Sequence, residues 1–282
     1  MVRARDIAVS LCIVLGVIGC NRSEKEQPAS DQPKIGNLAP SRNGGQSAAQ
    51  LLQAMNFGLH ILEVPADNVG QLENFWKILS PKPLRFNSSE AFKANSFLVG
   101  FGQIELWDKV HDLLYKAGGQ TMATASLMLA DDQSQDLAVT GLNRRQTVSF
   151  VSGDLTPQRA SIGPGILALR IKATKIPDIR GACTMVAHPV FALPETSSIP
   201  ELAARGKLRE FPFITAAFGL KMSPGDFVVL GPKTYVGDLS TLSSVFFSKP
   251  EGSVFFSPAE RKPPQRKPSV RLFLLVCIRI DH

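Results

Sequence analysis

The hydrophobic rhythm of this 282-residue chain changes several times from one end to the other. Residues 7–19 form a nearly unbroken apolar run behind Arg3 and Arg5. Over residues 21–50 large apolar side chains almost disappear, and Ser, Gln, Pro, Gly and Asn replace them. That composition cannot bury enough surface to offset chain entropy, so the stretch reads as a flexible tether. A 3.6-residue rhythm then appears between residues 58 and 117. Residues 59–64 predict a strand ended by Pro65, and residues 68–79 predict a helix whose Val69, Leu72, Phe75, Trp76 and Leu79 share one face. A short strand at 84–86, a polar turn and a strand at 96–100 follow. Residues 104–117 predict a second amphipathic helix with Leu106, Val110, Leu113, Leu114 and Ala117 inward, stopped by Gly118 and Gly119.

Beyond Gly119 the period shortens to two. Ala123, Ala125, Leu127 and Leu129 alternate with their neighbours, residues 131–135 predict a turn, and residues 137–142 return, which together predict a hairpin. Further strands are expected at 147–151, 166–171, 183–190, 211–220, 227–230 and 270–280, punctuated by Gly and Pro. Residues 272–278 are apolar on both faces. A lipid-facing barrel strand would alternate over about 9 to 11 residues, so this run predicts a strand buried inside protein. It is also much too short for a spanning helix. The fold class expected is α+β, a small βαββα unit followed by a mostly antiparallel β domain. The divisions expected are 1–19 as leader, 20–55 as tether, 56–119 as the α+β unit and 120–282 as the β domain.

The leader carries the sharpest chemical signal. Val17, Ile18, Gly19 and Cys20 close the apolar run in the form of a lipobox, and the run has the length of a secretory h-region rather than of a spanning helix. Residues 1–20 thus resemble the export signal of a bacterial lipoprotein. That resemblance implies cleavage after Gly19, where a small side chain lets the peptidase approach, and attachment of diacylglycerol to the Cys20 thiol. An ordinary secretory signal with a chance cysteine and an uncleaved anchor are the alternatives. Asn21, in place of the aspartate that retains lipoproteins at the inner membrane, points to the outer membrane, with the chain facing the periplasm.

The formal net charge is +7, of which Arg3, Arg5 and Asp6 in the leader supply +1. A basic mature chain suits anionic lipid headgroups or acidic envelope polymers, and nucleic acid is not expected as a partner. The one basic cluster, Arg261, Lys262, Arg266 and Lys267, lies among Pro263, Pro264 and Pro268 and reads as an exposed loop between two strands. With Cys12 in the leader and Cys20 on lipid, Cys183 and Cys277 remain, either as one bridge or as two buried thiols, and thiols are preferred.

Patterns that could carry other chemistry are sparse. Gly100-Phe101-Gly102 sits between a strand and a helix where a dinucleotide fingerprint belongs, but Glu105 holds the place of the third glycine, leaving a tight strand-to-helix turn as the reading. His60 and Glu63 leave a strand on opposite faces and read as surface residues. His188 reads as a structural histidine and His111 as solvated. Asp131, Asp132 and Asp136 cluster in the expected turn, where an acid/base pair or a weak calcium site competes with simple turn chemistry. No catalytic residue, metal ligand or cofactor is assigned.

Taken in order, several segments resemble the secretins, ring-forming outer-membrane proteins of secretion and pilus machines. They are the 58–117 unit, residues 131–151 with Asn143-Arg144-Arg145-Gln146-Thr147-Val148, the strand Gly165-Ile166-Leu167-Ala168-Leu169, the 223–231 segment read as a glycine-framed hairpin, the Leu-Phe corner at 242–247 and the last strand at 272–278. The chain lacks the double glycine at the hairpin and the pair of long alternating strands of a membrane-crossing lip. The resemblance implies a lipid-anchored, non-enzymatic envelope component that meets secretion-system or other envelope proteins, with a homo-oligomer left open. The rival expectation is a periplasmic small-molecule binder or enzyme with a site between the two domains.

Overall fold

The apolar run near the C-terminus organises the architecture. In the computed structural model, which describes residues 54–193, 210–255 and 265–281, it forms the middle of β14 (Gln265–Ile280). β14 pairs along one side with β1 (Ala54–Pro65) and along the other with β12 (Asp226–Pro232) and β13 (Ser248–Phe255), all antiparallel. The first sheet is completed by β3 (Phe97–Gln103) next to β12 and β4 (Gln120–Ala130) next to β1. A second sheet holds β2 (Arg85–Phe86), β11 (Phe218–Met222), β9 (Cys183–Ala192), β8 (Gly165–Lys175) and β5 (Ser134–Leu142) in that order, with β10 (Phe211–Pro212) beside β9. β6 (Gln146–Val151) and β7 (Pro157–Ile162) make a separate hairpin. Among the described residues the α-helices are α1 (Glu73–Ile78), α2 (Ser89–Ala94), α3 (Trp107–Lys116) and α4 (Leu242–Phe247).

Both faces of the first sheet are covered, which is why residues 272–277 in the middle of β14 are apolar at every position. Phe273, Leu275 and Cys277 enter the core between the sheets, where they meet Phe57 and Leu59 of β1, Leu169 and Ile171 of β8 and Met185 of β9. Val270, Leu272 and Leu274 face the other way, into a core closed by Phe75 of α1 and by Val110 and Leu114 of α3. The run is therefore a strand buried inside protein, as expected from its pattern. The expected first helix is 3-10 over Ala66–Leu72 before it becomes α1, and the second starts as 3-10 over Ile104–Leu106 before α3. At the end of α3 the amides of Gly118 and Gly119 return to the carbonyls of Tyr115 and Leu114 at 2.9 and 2.8 Å, the stop that the two glycines announced.

The fold class is α+β and mostly antiparallel, as expected, but the chain is threaded differently. The expected hairpin at 120–142 does not form, because β4 pairs with β1 in the first sheet and β5 with β8 in the second. The 223–231 segment repeats the pattern: its turn joins β11 of the second sheet to β12 of the first. A short turn between two alternating strands fixes their connection but not their pairing, and here burial of both inner faces wins over local pairing. For the same reason the boundary expected at 119/120 does not separate packing units. β1 lies between β14 and β4, β3 pairs with β12 and β2 with β11, so Ala49–His282 is one unit. The tether expected for 20–55 overlaps β1 by Ala54 and Met55. The rest of it, with the leader and Cys20, lies outside the described residues.

The polar turn expected after β2 contains α2. Ser88 accepts the Ala91 amide at 3.2 Å as its N-cap, and Phe92 packs against Phe86, Phe97 and Phe218. The expected Leu-Phe corner is α4, buried at all six positions and capped by Thr241, whose hydroxyl accepts the Ser244 amide at 3.2 Å. Phe246 and Phe247 stack with Phe97 and Phe273 at centroid distances of 4.9–6.1 Å. Residues 211–220, expected as one strand, break into β10, a 3-10 turn at Ile214–Ala216 and β11.

Candidate functional site

Alternation along β1 sends His60 and Glu63 to opposite faces, as expected, but neither is a plain surface residue. The His60 ring meets Trp107 edge-on at 5.6 Å, and burial lowers its pKa. Glu63 is 2 % exposed. Its carboxylate accepts from Ser269 Oγ at 3.1 Å and from Arg271 Nε and Lys249 Nζ at 3.4 Å each. The expectation of a surface glutamate is therefore corrected. Glu63 faces the gap between the sheets, where two cations balance one carboxylate and leave a net positive charge.

Two irregularities in neighbouring strands build this cluster. In β5 the ladder skips Val139, so its carbonyl is free and accepts Arg271 Nη1 at 2.6 Å. Next to it Thr140 Oγ1 donates to the Val245 carbonyl of α4 at 3.2 Å. In β13 the register shifts between Lys249 and Ser253 around Gly252, whose φ is 74°. A Cβ at Gly252 would come within 2.4 Å of the Lys267 carbonyl, so only glycine fits this kink. The kink turns Ser253 back to accept Lys249 Nζ at 2.9 Å. Sequence reading missed the cluster because its members are spread from β1 to β14. The signal it left was Arg271, a charge inside an otherwise apolar stretch of β14.

Lys249 opens onto a cleft of about 630 Å³ between β4 and the β13–β14 hairpin, with Arg266, Gln120 and Ser253 in its wall. Gln120 Nε2 donates to the Val254 carbonyl at 2.8 Å and ties the start of β4 to that hairpin. Arg266 and Lys267 belong to β14 opposite Val254 and Ser253, so that half of the basic cluster lies in a strand, not in the loop expected. Arg261 and Lys262 fall outside the described residues.

Asp131 and Asp132 in the β4–β5 connection and Asp136 within β5 are each engaged by β8. Asp131 Oδ1 accepts the Lys175 amide at 2.7 Å. Asp132 accepts Lys172 Nζ at 2.7 Å and Thr174 Oγ1 at 3.2 Å, and the Lys172 partner lowers its pKa. Asp136 takes Arg170 in a two-pronged pair, both bonds 2.7 Å, while Arg170 Nη1 donates to Glu210 at 2.7 Å. These carboxylates hold the guanidinium pKa above its ordinary value. Replacing Arg170 with lysine keeps the charge but removes the planar fork, so a loss of about 1 kcal/mol in urea unfolding is expected. His188 is the ladder partner of Arg170, and burial, then the Arg170 charge, lower its pKa. His111 is exposed on α3. Among the described residues no group of three or more His, Cys, Asp or Glu side chains is placed to hold a metal ion.

Gly100 and Gly102 lie within β3 rather than in a strand-to-helix turn. A Cβ at Gly102 would meet the Phe227 ring at 2.3 Å, and one at Gly100 would meet Leu79 at 2.5 Å. They serve close packing on the sheet, which explains the motif without a nucleotide. Cys183 and Cys277 come together between the sheets, both fully buried and free. The neighbouring Cys183 thiol, then burial, raises the pKa of Cys277.

The outer strand β4 is a second candidate surface. It ends the first sheet, and its sequence, Gln-Thr-Met-Ala-Thr-Ala-Ser-Leu-Met-Leu-Ala, has no charge and no proline. Residues 121–126 are exposed, as is Met128. Pairing with β1 is irregular only beside Met122, leaving Ala123 to Ala130 regular. Native edges are usually blunted by charge or proline, and this one is not.

No family model matches the chain, and no curated protein matches it. Among solved structures it has a distant resemblance to secretins. The secretin-domain β-barrel of InvG from the Salmonella SPI-1 injectisome is 10 % identical, with a TM-score of 0.25, over 82 % of this chain and 64 % of that one. A second structure of the same injectisome secretin gives 10 % identity and a TM-score of 0.25, over 82 % of this chain and 65 % of that one. The type II secretion system secretin GspD of E. coli K12 gives 12 % identity and a TM-score of 0.16, over 80 % and 46 %. This chain thus spans less than two thirds of the length of those secretins, and likeness at this level carries no argument about its role.

Proposed function

We propose that the protein is a lipid-anchored, non-enzymatic component of the bacterial cell envelope that docks onto other envelope proteins, with a structural or assembly role like that of the secretins it resembles in sequence. Cys20 carries the lipid, residues up to the start of β1 form the leash, and the outer membrane, facing the periplasm, is its address. The carrying observation is β4, a largely exposed outer strand of 11 residues without charge or proline, which among the described residues pairs only with β1 and so offers its other edge to an incoming strand. The polar candidates support the same reading, since the aspartates, Glu63 and Arg170 are already engaged in holding strands together.

Lysines at Ala123 and Ala125 test it. Both positions are exposed, so folding stability should change by less than about 0.5 kcal/mol. On native electrophoresis of detergent extracts, the wild-type chain should run as a ring or complex, and the double variant should lose most of that species. A strict monomer with no copurifying partner in the wild type would refute the assembly role. A second reading, a periplasmic small-molecule binder, is favoured by the cleft beside Lys249 and Arg266, whose charge suits an anionic ligand.

A further inference from the structure

The cleft beside the Glu63 cluster carries more positive charge than the fold itself uses. Glu63 is shared between Lys249 Nζ and Arg271 Nε at 3.4 Å each, whereas Asp136 and Asp132 hold their cations at 2.7 Å. Arg271 commits a further donor to the chain, with Nη1 on the Val139 carbonyl at 2.6 Å and on Thr140 Oγ1 at 3.4 Å. Lys249 keeps one in reserve. Of its three N–H groups, one meets Ser253 Oγ at 2.9 Å and one meets Glu63, which leaves the third for the cleft. Its side chain is 22 % exposed against 3 % for Glu63, so the unbalanced cation is the one that reaches the opening. Arg266 stands in the wall of the same cleft and has no hydrogen-bond or ion-pair partner among the described residues. Among those residues no carboxylate lines the cleft.

The wall is held in place by its own hydrogen bonds. Gln120 Nε2 uses its two N–H groups there, on the Val254 carbonyl at 2.8 Å and on Met122 Sδ at 3.4 Å. The bulge at Gly252 sets Ser253, 5 % exposed, so that its oxygen accepts Lys249 while its proton has no acceptor among the described residues. Two cations and a hydroxyl donor therefore line one opening of about 630 Å³, the size of a small-molecule site. Lys249, Arg271 and Arg266 outweigh Glu63 by two positive charges. A phosphomonoester matches that surplus, because it is close to a dianion at neutral pH and its terminal oxygens are strong acceptors for a guanidinium fork, an ammonium and a hydroxyl. A single carboxylate brings half the charge.

We propose that this cleft binds the terminal phosphate of a phosphomonoester, with Lys249 Nζ and the Arg266 guanidinium on its oxygens and the Ser253 hydroxyl donating to it. The same group is found on soluble esters and on lipid headgroups. The inference rests on the reading of the cleft as an anion-binding site and adds the class of anion.

Calorimetric titration of the full chain in mild detergent tests it with three probes. Glycerol 3-phosphate is a soluble phosphomonoester, dihexanoyl phosphatidic acid carries the same group on a short lipid, and succinate is a dianion without phosphate. At least one of the two phosphates should bind, and which of them does so identifies the source. Succinate should bind about tenfold more weakly or less. Arg266→Gln and Lys249→Met should each weaken phosphate binding about tenfold or more, since each removes a charge-assisted hydrogen bond. Lys221→Gln removes an exposed charge from β11 in the other sheet and should leave binding unchanged. Arg266 is exposed and outside every described ion pair, so its variant keeps the fold and carries the test if Lys249→Met unfolds. Phosphate binding that Arg266→Gln leaves intact overturns the proposal. Succinate bound as tightly as phosphate, and lost in the same variants, overturns the phosphate class and keeps the anion-binding cleft. No binding of any of the three overturns both.

Discussion

Replacing Glu63 with glutamine should lower the unfolding free energy by about 3 kcal/mol, measured by urea denaturation followed through Trp76 and Trp107. The glutamine keeps the shape and can still accept from Ser269, but it leaves Lys249 and Arg271 facing each other without a counter-charge. Removing one partner of a buried ion pair typically costs about 3–5 kcal/mol, because the remaining charge stays out of water uncompensated. The lower end applies here, since the Lys249 and Arg271 side chains remain 22 % and 19 % exposed and both ion-pair contacts are 3.4 Å. A second substitution makes the cause visible. In a Lys249→Met background the cost of Glu63→Gln should shrink by about half, because one of the two stranded charges is gone. A loss below about 0.5 kcal/mol in the wild-type background would mean that the cleft hydrates the cluster and that it contributes little to the fold.

Replacing Cys20 with alanine should move the protein from the membrane fraction to the soluble fraction and abolish incorporation of labelled palmitate. The expected effect is nearly all-or-none, because each buried methylene of an acyl chain adds about 0.8 kcal/mol of membrane affinity and the polar leash beyond Cys20 supplies little of its own. The folded unit should be unaffected, with the same melting temperature, since β1 begins only at Ala54. A variant that stays membrane-bound and still takes up label would end the lipobox reading. A variant that stays membrane-bound but unlabelled would point to the uncleaved leader as the anchor.

Much of the fold was legible residue by residue. Leu72, Phe75 and Leu79 recur at helical spacing and are buried on one face, and Val110 and Leu114 of α3 with Ala117 at its C-terminal cap do the same. Leu272 to Cys277, apolar at every position, demanded cover on both sides and received it from Phe75 and Leu114 on one and Leu169 and Met185 on the other. What misled was proximity. Leu129 and Leu137 lie either side of a short turn at residues 131–133, yet their strands join different sheets, because a turn's chemistry is local and the choice of partner strand is not. α2 escaped notice for a related reason: its Ser88 cap and Glu90 look like turn residues until Phe92 finds its aromatic neighbours.

The candidate sites divide along the same line. The uncharged, proline-free run of β4 and the apolar run that leads to Cys20 are properties of composition and spacing, fixed by the chain itself, and so are the periods that set α+β. Glu63 with Lys249 and Arg271, and the engagement of Asp131, Asp132 and Asp136 by β8, depend on which strands lie side by side. That choice is made by burying two sheet faces and a helix layer at once, a sum over the whole unit that no local pattern contains.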